Sequence, residues 1–143
     1  MDYRKMGSTY YLRVDKGEEV VGSVLELCRR EGIDACTYSG IGGCSRAELA
    51  TFDPTRGEFD IDEVTGMLEL VSLMGNVTTD ESGPHHHTHA LFAYKQGPHH
   101  LTRGGHLKST TVLYTAEIEV RPVEGTIGRQ PDPETKTSFW SFG

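Results

Sequence analysis

No stretch of the 143 residues approaches the ~20 consecutive apolar residues that a membrane-spanning helix requires. The opening Met1-Asp2-Tyr3-Arg4-Lys5 leads into no apolar signal core, so export is not expected and the cytoplasm is the expected compartment. Cysteine is scarce. Cys28, Cys36 and Cys44 are odd in number and contain no Cys-x-x-Cys pair, which argues against a disulfide framework or a zinc ribbon and leaves them as small core residues. Cationic side chains are also few: 14 Lys plus Arg stand against 21 Asp plus Glu, a formal net charge of −7, with no Lys/Arg cluster. Nonspecific nucleic-acid binding depends on cations displacing counterions from phosphate, and this balance opposes it. The glycines of Ser39-Gly40-Ile41-Gly42-Gly43 are not followed by the Lys-Ser/Thr of a phosphate loop. They read as a tight backbone crossing where missing side chains permit close approach, with a subunit contact as one setting for it.

What is present suits a single domain, residues 1–143, with no internal repeat. A hydrophobic content of 36% is modest enough to suggest that some burial occurs between subunits. Tyr10-Tyr11-Leu12-Arg13-Val14 alternates as a first strand, closed by the turn Asp15-Lys16-Gly17. Over residues 18–31, Val20, Val21, Val24, Leu25, Leu27 and Cys28 recur at helical spacing; acids open the segment, Arg29 and Arg30 close it, and Gly32 stops it. Downstream the pattern is strand-like. Residues 33–38 form a short strand ending in the glycine stretch, residues 44–53 another, turned by Asp53-Pro54-Thr55-Arg56-Gly57. Residues 58–64 alternate, and residues 67–77 carry the near-continuous apolar run of a central strand. A polar loop over 78–84 then feeds a histidine-bearing strand. Lys95-Gln96-Gly97-Pro98 is a turn signal, so a hairpin is expected between the histidine strand and the segment entering Arg103-Gly104-Gly105-His106, and residues 110–112 and 114–120 supply the last strands before Pro122. The composition of residues 124–143 predicts a mobile linker, while Phe139, Trp140 and Phe142 predict that its end docks on this subunit or a neighbour.

The chemistry concentrates in Pro84-His85-His86-His87-Thr88-His89-Ala90-Leu91-Phe92-Ala93 and in Arg103-Gly104-Gly105-His106-Leu107. On a strand, side chains alternate, so His85, His87 and His89 share one face while His86 and Thr88 point the other way. Two imidazoles at i and i+2 can reach one ion, and His106 from a neighbouring strand would complete a three-histidine set. Three neutral nitrogens suit zinc or another late first-row metal, with nickel, iron and cobalt equally acceptable to imidazole, and leave a position for water or a substrate oxygen. Such a site needs an acid or base nearby. Glu48, Glu69 and Glu117 are candidates whose faces the sequence does not rank, and Arg103 could hold a carboxylate substrate. A solvated strand face is the alternative for each glutamate. His85 is a candidate outer donor or extra ligand, or else exposed, and His99 and His100 read as loop residues after the Gly-Pro turn.

The order of these features resembles the plants-and-prokaryotes-conserved (PPC) domain family. The resemblance rests on the helix after the first strand, Ser39-Gly40-Ile41-Gly42-Gly43, Ala47-Glu48-Leu49, Leu68-Glu69-Leu70-Val71-Ser72-Leu73-Met74-Gly75-Asn76, His87-Thr88-His89 and Gly104-Gly105-His106-Leu107. It spans about residues 8–122, leaving 123–143 as a C-terminal extension. It implies an α/β (α+β) fold with a mostly antiparallel sheet flanked by one main helix, assembly as a homotrimer, and a metal, commonly zinc, on His87, His89 and His106. The fold also looks like that of acetolactate decarboxylase, a zinc enzyme with a comparable histidine set, an analogy that fixes no reaction. Plant members of the family carry Arg-Gly-Arg-Pro AT-hooks; this chain has none, and Gly128-Arg129-Gln130-Pro131 is no substitute. A trimer would carry a formal charge of −21, three times −7, which further disfavours DNA. Three functions stay open at this point: a metal-dependent small-molecule role, lyase-like or hydrolytic; a non-enzymatic regulatory module; and DNA binding.

Overall fold

The structure, a computed structural model, describes residues 1–134 and 137–142. Among the described residues there is one α-helix, α1 (Val20–Glu31), and no helix is long and apolar enough to cross a membrane. The helix starts two residues later than the expected 18–31, because Glu19 lies just ahead of its first turn and caps it. Its carboxylate accepts from the backbone N–H of Val21 at 3.1 Å and of Gly22 at 2.5 Å, two donors with no partner inside the helix. Gly32 ends the helix in the left-handed region, φ 63°, which glycine adopts without a Cβ penalty. Val20, Val21, Val24, Leu27 and Cys28 form its buried face.

The strands are β1 (Asp2–Met6), β2 (Thr9–Asp15), β3 (Ala35–Asp53), β4 (Glu58–Asp80), β5 (Gly83–Gln96), β6 (His99–Pro122), and a separate terminal hairpin of β7 (Gly128–Pro131) and β8 (Ser138–Ser141). The main sheet is antiparallel in the order β1-β2-β6-β3-β4-β5, and β5 also pairs with β6. That last pairing closes β3, β4, β5 and β6 into a ring. The long β6 makes this possible: residues 99–106 pair with β5, residues 106–112 with the far end of β3, and residues 115–120 lie between β2 and β3. Inside the ring sit Leu68, Leu70, Leu73, Phe92, Leu107 and Ile118, all fully buried.

Several segments are longer than their local patterns predict. Residues 33–38 and 44–53 are two parts of one strand, β3, because the glycine stretch is a bulged crossing within it, with register shifts between Gly40 and Gly42 and between Cys44 and Arg46. The close approach is within the chain: a Cβ on Gly42 would sit 2.7 Å from the Thr115 carbonyl oxygen and 2.8 Å from the Ala116 Cβ. Residues 58–64 and 67–77 likewise merge into β4, which runs on to Asp80, so most of the expected polar loop over 78–84 is strand. His99 and His100 also lie in a strand rather than a loop, paired with Gln96 and Lys95. Gly97, at φ 60°, lets Gly97-Pro98 close the hairpin as a two-residue turn. The N-terminal residues add the edge strand β1. The three cysteines are buried and free, as their scarcity suggests, with the Sγ atoms of Cys28 and Cys36 3.6 Å apart.

Where a mobile linker is expected, residues 128–131 and 138–141 form the β7–β8 hairpin, anchored on β4. Arg129 donates through Nε to Thr78 Oγ1 at 2.9 Å and through Nη2 to Asn76 Oδ1 at 3.1 Å. The Trp140 indole N–H donates to the same Asn76 Oδ1 at 3.3 Å. Of the three aromatics, Trp140 therefore docks on its own subunit, while Phe139 and Phe142 stay exposed.

Candidate metal centre

Two separate pairings bring the histidines together. In β5, His87 and His89 alternate onto the outer face, opposite Asn76 and Met74 of β4. In β6, His106 stands directly across from His89 on one side and from Ala50 of β3 on the other, the point where the ring closes. The preceding glycines permit this squeeze. A Cβ on Gly104 would lie 2.7 Å from the Ala90 carbonyl oxygen of β5, and one on Gly105 would lie 2.9 Å from the Ala50 carbonyl oxygen of β3. Gly-Gly-His is thus the sequence of a strand threaded between two backbones, delivering an imidazole just beyond them.

One nitrogen from each ring lies within 4.8 Å of those of the other two. The Nε2 atoms of His87 and His89 are 3.3 Å apart, and the ring centroids are 5.2 Å (His87 to His89), 5.1 Å (His87 to His106) and 4.2 Å (His89 to His106) apart. Metal–nitrogen bonds of ~2.0–2.1 Å at tetrahedral angles set neighbouring ligand nitrogens about 3.3–3.4 Å apart, so the donor set fits a late first-row divalent ion. Burial, followed by the neighbouring imidazole charges, lowers the pKa of both His87 and His106. His87 keeps much of its surface accessible, yet the crowded rings desolvate its nitrogens. The neutral, metal-ready form is therefore favoured at both positions. Phe59 meets His106 edge-on at 5.4 Å and fixes one side of its ring.

The other candidates fall elsewhere. His85, in β5 across from Thr78, reaches back to the β4–β5 turn, where its Nε2 meets Ser82 Oγ at 2.8 Å and Asp80 Oδ1 at 3.0 Å. His86 points to the opposite side and meets Thr88 Oγ1 at 3.1 Å. Glu48 is taken by Arg46, 2.9 Å away, and Arg103 by Asp62. Glu69 lies five residues along β4 from Met74, roughly 16 Å at strand rise. Glu117 faces a different hollow, of about 940 Å³, beside Arg13 and Ile41. Beside the histidines is a cavity of about 480 Å³ lined by Asn76, His87, His89, Glu119, Arg121 and Ser39 among others. Glu119 and Arg121 form an ion pair there. Residue-by-residue reading passed over Asn76, Glu119 and Arg121. Their signal was period-two alternation: Glu119 and Arg121 share the outer face with Glu117, but only the sheet's curvature decides which of them nears the histidines.

The Plants and Prokaryotes Conserved (PCC) domain family matches residues 1–124. The chain belongs to this family. A comparison with curated proteins returned no match. Among solved structures, the PCC chain is similar to a protein from Archaeoglobus fulgidus described as metal-containing, at 31% identity and TM-score 0.84, covering 99% of both chains. It is also similar to a Bacteroides thetaiotaomicron protein provisionally described as DNA-binding, at 23% identity and TM-score 0.91, covering 99% of this chain and 96% of that one. A weaker likeness, at 14% identity and TM-score 0.53 over 85% of this chain and 54% of the other, reaches a Staphylococcus aureus protein of unknown function described as similar to α-acetolactate decarboxylase. The last two are likenesses of fold.

Proposed function

We propose that this PCC protein holds a divalent metal, zinc foremost, on His87, His89 and His106, and uses it on a small molecule bound in the adjoining cavity. The observation that carries the reading is the convergence of three imidazole nitrogens from β5 and β6, with a 3.3 Å edge suited to one ion. The similarity to a metal-containing protein from Archaeoglobus fulgidus supports it. When bound, the metal would supply Lewis acidity at a coordination position left for water or a ligand oxygen. The chain's own contribution is to hold the imidazoles neutral and to present polar groups beside them. Elemental analysis of the purified protein tests this; a preparation that takes up no stoichiometric zinc, cobalt or nickel ends the reading.

The pH dependence follows from the direction of the histidine shifts. With His87 and His106 depressed, metal is retained somewhat below the ordinary imidazole pKa of ~6.5 and released as imidazolium forms, by about pH 5. In the metal-free protein, the same depression contributes stability that is full above the unfolded value and lost as pH falls through the folded one. Retention of stoichiometric metal well below pH ~5 would contradict histidine ligation.

The working assembly we propose is a cytoplasmic homotrimer. Support comes from apolar side chains left exposed on the outer sheet face, Met6, Tyr11, Ile41, Val71 and Met74, too many to be scattered singly. Nucleic acid is outside this reading, because a net charge of −7 repels a duplex. A duplex titration in low salt is expected to give no saturable binding, and a salt-sensitive shift would restore DNA as the ligand.

A further inference from the structure

We infer that Asn76, with its side-chain oxygen held by the terminal hairpin, is a ligand-binding residue that turns its amide N–H groups toward the cavity and selects hydroxycarboxylate-type ligands. The inference rests on the metal reading above. Asn76 is half-buried on β4, directly across from His87, so the two side chains leave the same face about 4.5–5.5 Å apart. An asparagine amide can usually rotate by half a turn and exchange donor for acceptor. Here it cannot do so freely: Oδ1 accepts from both Arg129 Nη2, at 3.1 Å, and Trp140 Nε1, at 3.3 Å, and both groups are donors only. A flipped amide would set its own N–H groups against them. The hairpin therefore decides which end of Asn76 remains for a ligand, and among the described residues no protein acceptor meets Nδ2.

The wall beside Asn76 adds the Arg121 guanidinium and the Ser39 hydroxyl, while Glu119 is already engaged by Arg121. Donors next to an imidazole-bound metal fit a ligand with two acceptor oxygens on adjacent carbons, one for the metal and one for the Asn76 amide. A 2-hydroxycarboxylate has that arrangement, and the cavity of about 480 Å³ suits a small one. Arg129 and Trp140 act through Asn76 and are positioning residues.

The probe is glycolate, titrated into the cobalt(II)-loaded full-length protein, with the visible cobalt spectrum reporting on the coordination sphere. Trp140 is the sole tryptophan, so its emission reports whether the hairpin is docked. In the parent protein glycolate is expected to perturb the cobalt spectrum saturably. Asn76→Asp keeps an acceptor for both Arg129 and Trp140, so the tryptophan emission and cobalt stoichiometry are expected to stay at parent values. It removes the donor and adds a negative charge, so glycolate affinity is expected to fall tenfold or more, roughly the loss of one charge-assisted hydrogen bond. Arg129→Gln combined with Trp140→Phe frees the amide and is expected to weaken glycolate several-fold, with changed emission but unchanged cobalt binding. Parent-like glycolate affinity in Asn76→Asp, or a parent protein that binds cobalt and ignores glycolate, overturns the inference and leaves the metal reading intact. A parent protein that binds no cobalt overturns both.

Discussion

Replacing His106 with alanine is expected to lower metal affinity at least ~100-fold while leaving the fold intact. Removing a group that merely orients a metal ligand typically costs 10–100-fold, and removing the ligand itself costs at least the upper end of that range. The ring lies on the outer face, half-buried, and the inward neighbour Leu107 carries the local core contacts. What the substitution removes is the imidazole that β6 contributes, together with its edge contact to Phe59. Isothermal titration with zinc, alongside thermal unfolding of the metal-free protein, separates the two effects. Unchanged zinc affinity would show that β5 alone holds the ion, and the convergence across the β5–β6 pairing would lose its meaning. His87→Ala and His89→Ala are expected to behave alike, because each supplies one nitrogen of the same set.

The largest expected effect on stability is Phe92→Ala, at about 3–5 kcal/mol. Phe92 is fully buried, sits across from Leu70 of β4 and Arg103 of β6, and is the largest of the fully buried side chains. Its truncation empties the interior of the closed ring where β5 joins both neighbours. The consequence reaches the metal centre, since the same strand carries His87 and His89 five and three residues upstream. Urea unfolding of the metal-free protein at fixed protein concentration measures the loss, metal and assembly being held constant because each stabilises by mass action. A loss under ~1 kcal/mol would mean that the ring does not close on a packed interior.

Much of this architecture is legible residue by residue. Alternation in 10–14 and 114–120 marks strands β2 and β6, and the run of Val20, Val21, Val24, Leu27 and Cys28 ending at Gly32 marks the helix. His-x-His places two imidazoles on one face for the same period-two reason. The breaks were harder to read. Glycines in Ser39 to Gly43 signal an end to regular pairing, yet here they are what lets β3 continue past β6 at close range. Likewise the polar Thr78, Thr79 and Asp80 look like a loop but pair with His85, Pro84 and Gly83, since pairing partners rather than polarity decide where a strand stops. Arg129 and Trp140 gave no periodic signal, because what orders them is a single asparagine fifty-three and sixty-four residues away.

The sequence by itself determined the local alphabet of this PCC protein: most of the segments that extend, the body of α1 and its stop at Gly32, that histidines 87 and 89 share a face, and that the chain is acidic. Those properties depend on neighbours within a few residues, where dihedral preference and side-chain period act. The Gly97-Pro98 turn already points to a β5–β6 hairpin, but tertiary structure alone decided that β5 also pairs with β4 and that the register sets His89 opposite His106. It also decided that Asn76 and Glu119, and not Glu48 or Glu69, border the histidines. Such choices depend on how a twisted sheet curls until its edges meet, a sum over many weak pairings that no short stretch of chain records.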